Sequence, residues 1–337
     1  MLFNLQILRG IAALGVAFYH TDFHLPGNWH TDFSGVAIFF VISGFIMCFI
    51  TRESADGFLA KRVVRIVPMY WLATLAYATL RYGLGPLSPA LSTANPNLAT
   101  DLAQSLLFLP SEKLPVLGVG WTLNLEMYFY LVFALALWMS RRFAPLISAA
   151  IIYAVFALDQ HGYGGFLTHY YSHDYVHYFL AGIALFYLWT IGSAWVRGWP
   201  VAAICIAGIA CFLGFQFARP IWPDWVLPYY GWLPPIVVGC ALFMESSGAE
   251  VTWRPATLLG DASYSLYLCH TIFYGIDRAA FRALHLPTAS ESLLVMLFEV
   301  IMATLVGVAV HLYVEKPLLR RGRLALGGGR KTSAQAV

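Results

Sequence analysis

Apolar runs long enough to cross a bilayer follow one another along almost the whole chain: 5–22, 34–51, 66–82, 121–140, 143–159, 175–190, 200–217, 228–245, 259–276 and 292–314. The hydrocarbon core of a membrane takes about 20 predominantly apolar helical residues per crossing. Inside it every backbone N–H and C=O must bond within the protein, so such runs become helices. The 337 residues are 60% hydrophobic and only 11% charged, against about 25% charged in an ordinary soluble domain. The chain therefore reads as all-α, a polytopic membrane helical bundle with about ten transmembrane helices.

A further stretch, 98–110, is apolar but short, and the basic residues decide how to treat it. With ten spans and the N-terminus inside, the cytoplasmic side receives Arg52, Lys61, Arg62, Arg65, Arg141, Arg142, Arg197, Arg254 and the basic residues of the tail. The outer side receives only Arg81, Lys113, Arg219, Arg278 and Arg282. This is the asymmetry of the positive-inside rule. Counting 98–110 as a span inverts everything downstream, so 83–120 reads as an outer loop carrying a surface or re-entrant helix, and both termini are cytoplasmic. Residues 1–317 form a single transmembrane domain. The tail, 318–337, is short, basic and glycine-rich and is expected to be disordered. The first apolar run carries Arg9 and no cleavage pattern. Cys48, Cys205, Cys211, Cys240 and Cys269 fall in apolar stretches without a CxxC pair and read as small apolar residues. The net charge of +3 gives no reason to expect a nucleic-acid partner; the expected surroundings are membrane lipids.

Ionisable side chains within the spans narrow the function. A charge at the bilayer centre costs roughly 2.5–3.5 kcal/mol on insertion scales, so each asks for a purpose. Arg9 and His20 share a helix face about three turns and roughly 16 Å apart. Ala13, Val16 and Ala17 between them are small and leave room beside the helix for something long and thin. An imidazole, with an ordinary pKa of about 6.5, suits general-base work on a hydroxyl. In the second run Ser43 and Gly44 permit close helix approach and a hydrogen bond across the interface. Arg62 and Arg65, one turn apart, can clamp a phosphate. On their own they read better as an ordinary positive-inside anchor, with Pro68 breaking or starting a helix. Trp121 opens a span from the outer side, and Glu126 enters it by about 7 Å, which puts it near the depth of His20. A carboxylate that orients an imidazole is a recurring catalytic arrangement. Asp261 reads as a cap, and His270 and Glu299 as facing the bundle interior without an assigned task. His161, His169, His173 and His177 are interleaved with tyrosines and read as an aromatic interfacial belt, so no metal site is assigned.

Taken in order, these pieces resemble the acyltransferase-3 family of integral membrane acyltransferases. The resemblance rests on Arg9 and His20 with ten residues between them, Phe39-Phe-Val-Ile-Ser-Gly-Phe45, and Arg62-Val-Val-Arg65-Ile-Val-Pro68. It continues through Trp121-Thr-Leu-Asn-Leu-Glu126, Ser263-Tyr-Ser-Leu-Tyr-Leu-Cys-His270 and Glu315-Lys-Pro317. Within the family, a short form without an additional extracytoplasmic hydrolase-like domain resembles the exopolysaccharide O-acetyltransferases of the succinoglycan type. It departs from the family pattern at Ala37, where an aspartate is usual, and at Thr122, where a serine is usual.

The resemblance implies transfer of an acyl group, most often acetyl, from cytoplasmic acyl-CoA to a sugar hydroxyl, in the inner membrane of a bacterium. Acyl-CoA is a co-substrate rather than a resident cofactor, and the acceptor is a glycan or lipid-linked sugar. Arg9, Arg62 and Arg65 would then hold the CoA moiety. His20 would act as base with Glu126 orienting it, and Trp121 would stack on the sugar. Two other classes are compatible with the residues. A proton-coupled transporter or flippase of a glycan or lipid-linked sugar would use Arg9, His20 and Glu126 as a relay. A non-catalytic subunit of an export complex would not need His20.

Overall fold

The computed structural model describes residues 2–21, 23, 35–83, 95–193, 202–210, 231–287 and 292–327. The described residues contain thirteen named helices: α1 (Phe3–Tyr19), α2 (Gly35–Glu53), α3 (Phe58–Ala78), α4 (Leu98–Leu106), α5 (Trp121–Met139), α6 (Ala144–Gln160), α7 (Phe166–Tyr171), α8 (Val176–Gly192), α9 (Leu233–Ser246), α10 (Arg254–Asp261), α11 (Ser263–Ala283), α12 (Leu293–Val310) and α13 (Lys316–Ala325). Residues 202–210 are also helical. The helices starting at Gly35, Phe58, Gly118 and Leu293 are long and apolar enough to cross a membrane. Those at Phe3, Ala144, Val176 and Leu233 are shorter and apolar. This is the all-helical, multi-pass architecture expected of the composition.

Several boundaries differ from the sequence reading. The third helix begins at Phe58 instead of 66 and runs through Pro68, which lies inside it. A proline in mid-helix removes one backbone hydrogen bond, yet burial of Ile66, Met69, Tyr70 and Ala73 along one face holds the helix on. The run 259–276 is two helices, α10 and α11, separated at Ala262. The tail is not irregular from 318, because α13 extends to Ala325 and Gly322 rests against the Val64 side chain of α3. Residues 328–337 lie outside the described residues, as do Cys211, half of the run 200–217 and the first three residues of the run 228–245. In the 98–110 stretch, α4 has nine residues, too few to span at 1.5 Å per residue. It is tied to α3 by Trp71 Nε1, which donates to the Leu106 carbonyl at 2.7 Å.

Helix α1 sits at the centre, packed by α2, α9, α10, α11 and α12. Its N-terminal N–H groups lack intrahelical acceptors, and Glu245 at the end of α9 takes bonds from Phe3 N (2.6 Å) and Asn4 N (3.0 Å), a favourable place for a carboxylate. Arg141 after α5 donates to the Glu53 carbonyl at 2.6 Å, which brings the ends of α2 and α5 together. One end of the bundle thus gathers Arg52, Arg62, Arg65, Arg141 and α13, with His20 and Trp121 at the opposite end.

The closest helix pair is α2 with α8. A Cβ on Gly44 would run into the Phe179 carbonyl oxygen, and one on Gly182 into that of Val41. Both obstacles are backbone, so neither can rotate away. Gly182→Ala is expected to lower stability by about 1–3 kcal/mol through overpacking, read as an earlier thermal unfolding midpoint of purified protein in detergent. An unchanged midpoint would mean that the two helices can separate freely.

Candidate active site

Two cavities lie back to back inside the bundle. The inner one, about 100 Å³, is bordered by Gln6 and Arg9 of α1, Ser43 of α2, Arg62 and Arg65 of α3, Glu126 and Tyr130 of α5, and Tyr264 and Tyr267 of α11. The outer one, about 1220 Å³, is bordered by Val16, Tyr19, His20, Ala37, Trp121, Asp174, Tyr175, His177, Tyr178, Trp232 and Thr271. Val36 and Tyr267 border both and form the wall between them. Tyr267 is fixed there by its hydroxyl, 2.7 Å from Thr122 Oγ1 and donating to the Val119 carbonyl at 3.0 Å, with Phe39 edge-on to its ring. The Thr122 hydroxyl thus helps to hold the wall.

The inner cavity is an ion cluster. Arg62 and Arg65 lie in the first turns of α3 on the face that continues through Ile66 and Met69, so helix periodicity carries them inward. They are pocket residues here, which the anchor reading did not require. Arg9 lies within electrostatic reach of Arg65, Glu315 and Glu126, and Arg62 within reach of Tyr130, Arg65 and Glu126. Gln6 Oε1 accepts from Arg9 at 3.3 Å, and Gln6 in turn donates to Asp261. Asp261 therefore ends α10 and secures α1, and it does not cap the start of a helix. Glu126 accepts from Ser43 Oγ at 3.0 Å and from the Tyr130 hydroxyl. Glu315, buried at the end of the last long helix, accepts from Ser265 Oγ at 2.6 Å and faces His311 Nδ1 at 2.8 Å.

His20 follows the last residue of α1 and faces the outer cavity with Trp121. Trp121 has His173 against its face, centroids 5.3 Å apart, and Tyr175 edge-on at 5.4 Å. The belt histidine His173 and the site tryptophan therefore form one aromatic wall. His177 packs edge-on against Phe156, and His169 stands exposed 3.4 Å from Asp159. Ala37 is buried at the border of the outer cavity.

Two sequence expectations are corrected. Glu126 does not orient His20, since the two border different cavities. His20 lies at the end of α1, level with Trp121 at the start of α5, and Glu126 is more than a turn further in. The partner of His20 is instead His270 of α11, Nε2 to Nδ1 at 3.3 Å. Likewise, the small stripe on α1 is not an open passage. Ala13 and Ala17 are fully buried against Leu266, Tyr274 and Ala303, and of the three stripe residues Val16 alone borders a cavity, the outer one. His270, Tyr274 and Arg278 were legible as an i, i+4, i+8 stripe, but their target was not. Arg278 donates to the His20 carbonyl at 2.6 Å and lies 3.9 Å from the buried Glu299 carboxylate. Tyr274 donates to the Ala17 carbonyl at 3.0 Å.

Residues 2–312 match the family described as an acyltransferase domain. The chain is similar to the exopolysaccharide production protein ExoZ of Rhizobium meliloti (strain 1021), 36% identical over 305 residues that cover 86% of this chain and 90% of that protein. It is also similar to nodulation protein 10 of Rhizobium leguminosarum bv. viciae, 31% identical over 183 residues, 47% of this chain and 49% of that protein. No solved structure matches it. A match that spans nearly the entire bundle, including the helices that carry both cavities, makes this chain a membrane protein of the acyltransferase 3 family.

Proposed function

We propose that the protein moves an acyl group, acetyl by analogy, from cytoplasmic acyl-CoA to a hydroxyl of a cell-surface or exopolysaccharide sugar, in a bacterial inner membrane with ten spans and both termini cytoplasmic. The observation that carries this reading is the pair of cavities. An arginine-lined one lies toward the basic end of the bundle, and a wide aromatic one with a histidine lies behind a single wall. Arg62 and Arg65, with Arg9 deeper, offer guanidinium forks to the CoA phosphates, a geometry suited to phosphate. The pantetheine arm runs past Phe39 and brings the thioester to the wall at Val36 and Tyr267. On the other side, the sugar stacks on Trp121 and presents a hydroxyl to His20.

His20 Nδ1 lies 2.8 Å from the Val16 carbonyl. A carbonyl can only accept, so Nδ1 carries the proton and Nε2 is the basic nitrogen of the neutral ring. As the sugar oxygen attacks the thioester carbonyl, its proton passes to His20 Nε2. The new C–O ester bond forms, the C–S bond breaks, and His20 returns the proton to the departing CoA thiolate. The relay reading of Arg9, His20 and Glu126 is less well supported, because the ring bonds of His20 run to Val16 and His270 and to neither of the other two.

The test is the O-acetyl content of surface polysaccharide in a deletion strain complemented with wild type or His20→Ala, with membrane levels of both proteins measured. The reading predicts acetyl groups restored by wild type alone. If acetylation is unchanged while polymer export changes, the transport reading replaces it. At the acceptor end, Trp121→Ala is expected to raise KM for the glycan about 2–10-fold with KM for acyl-CoA unchanged, from loss of about 0.5–1.5 kcal/mol of aromatic stacking. Equal effects on both substrates would remove Trp121 from the acceptor site.

A further inference from the structure

The geometry points to His270 as a positioning residue for His20, an inference that rests on the proposed role of His20 and adds the group that holds it. His270 is fully buried in the middle of α11. Its Nδ1 lies 3.1 Å from the Leu266 carbonyl, one turn back on its own helix. That carbonyl can only accept, so His270 Nδ1 carries a proton, and in the neutral ring its Nε2 presents a lone pair. This lone pair faces His20 Nδ1 at 3.3 Å, and His20 Nδ1 must itself carry a proton because of the Val16 carbonyl. The proton on His20 Nδ1 is thus shared between two acceptors, the Val16 carbonyl and His270 Nε2. Two protonated nitrogens could not face each other in this way, so the pair is complementary only with His270 neutral.

The arrangement solves a problem of place. His20 lies just past the end of α1, where a side chain has little helical context to fix it, and the ring is only partly buried. α11 supplies the missing constraint at three successive turns. His270 takes the ring, Tyr274 the Ala17 carbonyl and Arg278 the His20 carbonyl. A cation on the last carbonyls of a helix is favourable in itself. The ring of His20 is left with Nε2 as its basic nitrogen, beside the outer cavity. When Nε2 takes a proton, His270 Nε2 remains as an acceptor for the resulting imidazolium. A neutral acceptor does this without placing a second buried charge behind the base.

His270→Gln and His270→Asn separate the contact from mere polarity. Glutamine is long enough to put an amide oxygen where Nε2 of His270 sits. Asparagine reaches only the position of Nδ1, and so can keep the Leu266 bond but not the His20 contact. Initial rates with acetyl-CoA and the isolated glycan are expected to give kcat down about 10–100-fold for the asparagine variant and within a fewfold of wild type for glutamine. KM for acetyl-CoA should be unchanged in both. A second readout needs no acyl transfer: the rate of carbethoxylation of His20 by diethylpyrocarbonate, followed by mass spectrometry of the purified variants. It should fall with asparagine and recover with glutamine.

Full kcat in the asparagine variant would overturn the inference. So would equal loss in both variants at normal membrane levels, since the imidazole would then act in some way other than as an acceptor for His20. If wild type transfers no acetyl group at all, the proposed function fails, and the carbethoxylation rates still decide the positioning role.

Discussion

Replacing His20 with alanine is expected to lower acyl transfer by about 10²–10⁴-fold, the range for loss of a positioned general base, with little change in the amount of folded protein. The expectation follows from where the side chain stands. His20 lies after the last turn of α1, partly exposed to the outer cavity, and its ring bonds are to Val16 and His270. The backbone of that turn is held independently by Tyr274 and Arg278, so removing the ring leaves the end of α1 anchored. On the proposed function the loss should fall on kcat, because the imidazole would act on the reacting hydroxyl and the CoA phosphates would bind at the arginines. Initial rates of acetyl transfer by purified protein in lipid, alongside thermal melts of both forms, give the check. A variant that keeps more than about a tenth of the wild-type rate would place the base elsewhere.

The second large effect concerns stability. Glu126→Ala is expected to destabilise the protein by about 2–3 kcal/mol, somewhat below the about 3–5 of a fully buried pair because Glu126 is only partly buried. The carboxylate lies within reach of Arg9 and Arg62, beside a cavity that Arg65 also borders. Its removal leaves three guanidinium groups with less negative charge around them and takes the acceptor from Ser43 and Tyr130. Glu126→Gln keeps an amide oxygen for those two hydroxyls and should lose less. Thermal unfolding in detergent reads the order wild type, glutamine, alanine. Added CoA should raise the midpoint of Glu126→Ala more than that of wild type, since its phosphates would return negative charge to the arginines. An alanine variant as stable as wild type, or one indifferent to CoA, would mean that the cluster does not hold together through Glu126 or does not receive phosphate.

Much of this was open to inspection in the linear chain, though unevenly. Hydropathy located the helices to within a few residues, except where a local rule competed with packing. Pro68 suggested a boundary, but the buried face of Ile66, Met69 and Tyr70 carries α3 through it. Ala262 left no mark in the hydropathy of 259–276, yet α10 and α11 separate there. The positive end of the bundle was legible because charge counts do not depend on packing. Arg9, Arg62, Arg65, Glu126, His20 and Trp121 could all be picked out as costly or conspicuous residues, and all of them border the two cavities.

Their grouping was another matter. Depth along α5 put Glu126 near His20, but a rise per residue measures height only from the end of its own helix. The relative heights of α1 and α5 follow from how α11 locks the end of α1 and how Tyr267 seats under Thr122. The small stripe of α1 looked like a passage because small side chains leave space, and beside Ala13 and Ala17 that space is filled by Leu266, Tyr274 and Ala303 from helices more than 240 residues away. The sequence by itself determined an all-helical membrane bundle, its basic end and the conspicuous ionisable residues within its spans, because hydropathy, periodicity and charge are properties of each segment alone. Only the tertiary structure decided that the arginines and Glu126 share one cavity, that His20 faces another, and that His270 stands behind it. Rotation and stagger of helices are set by which side chains interlock between segments, and no single segment carries that information.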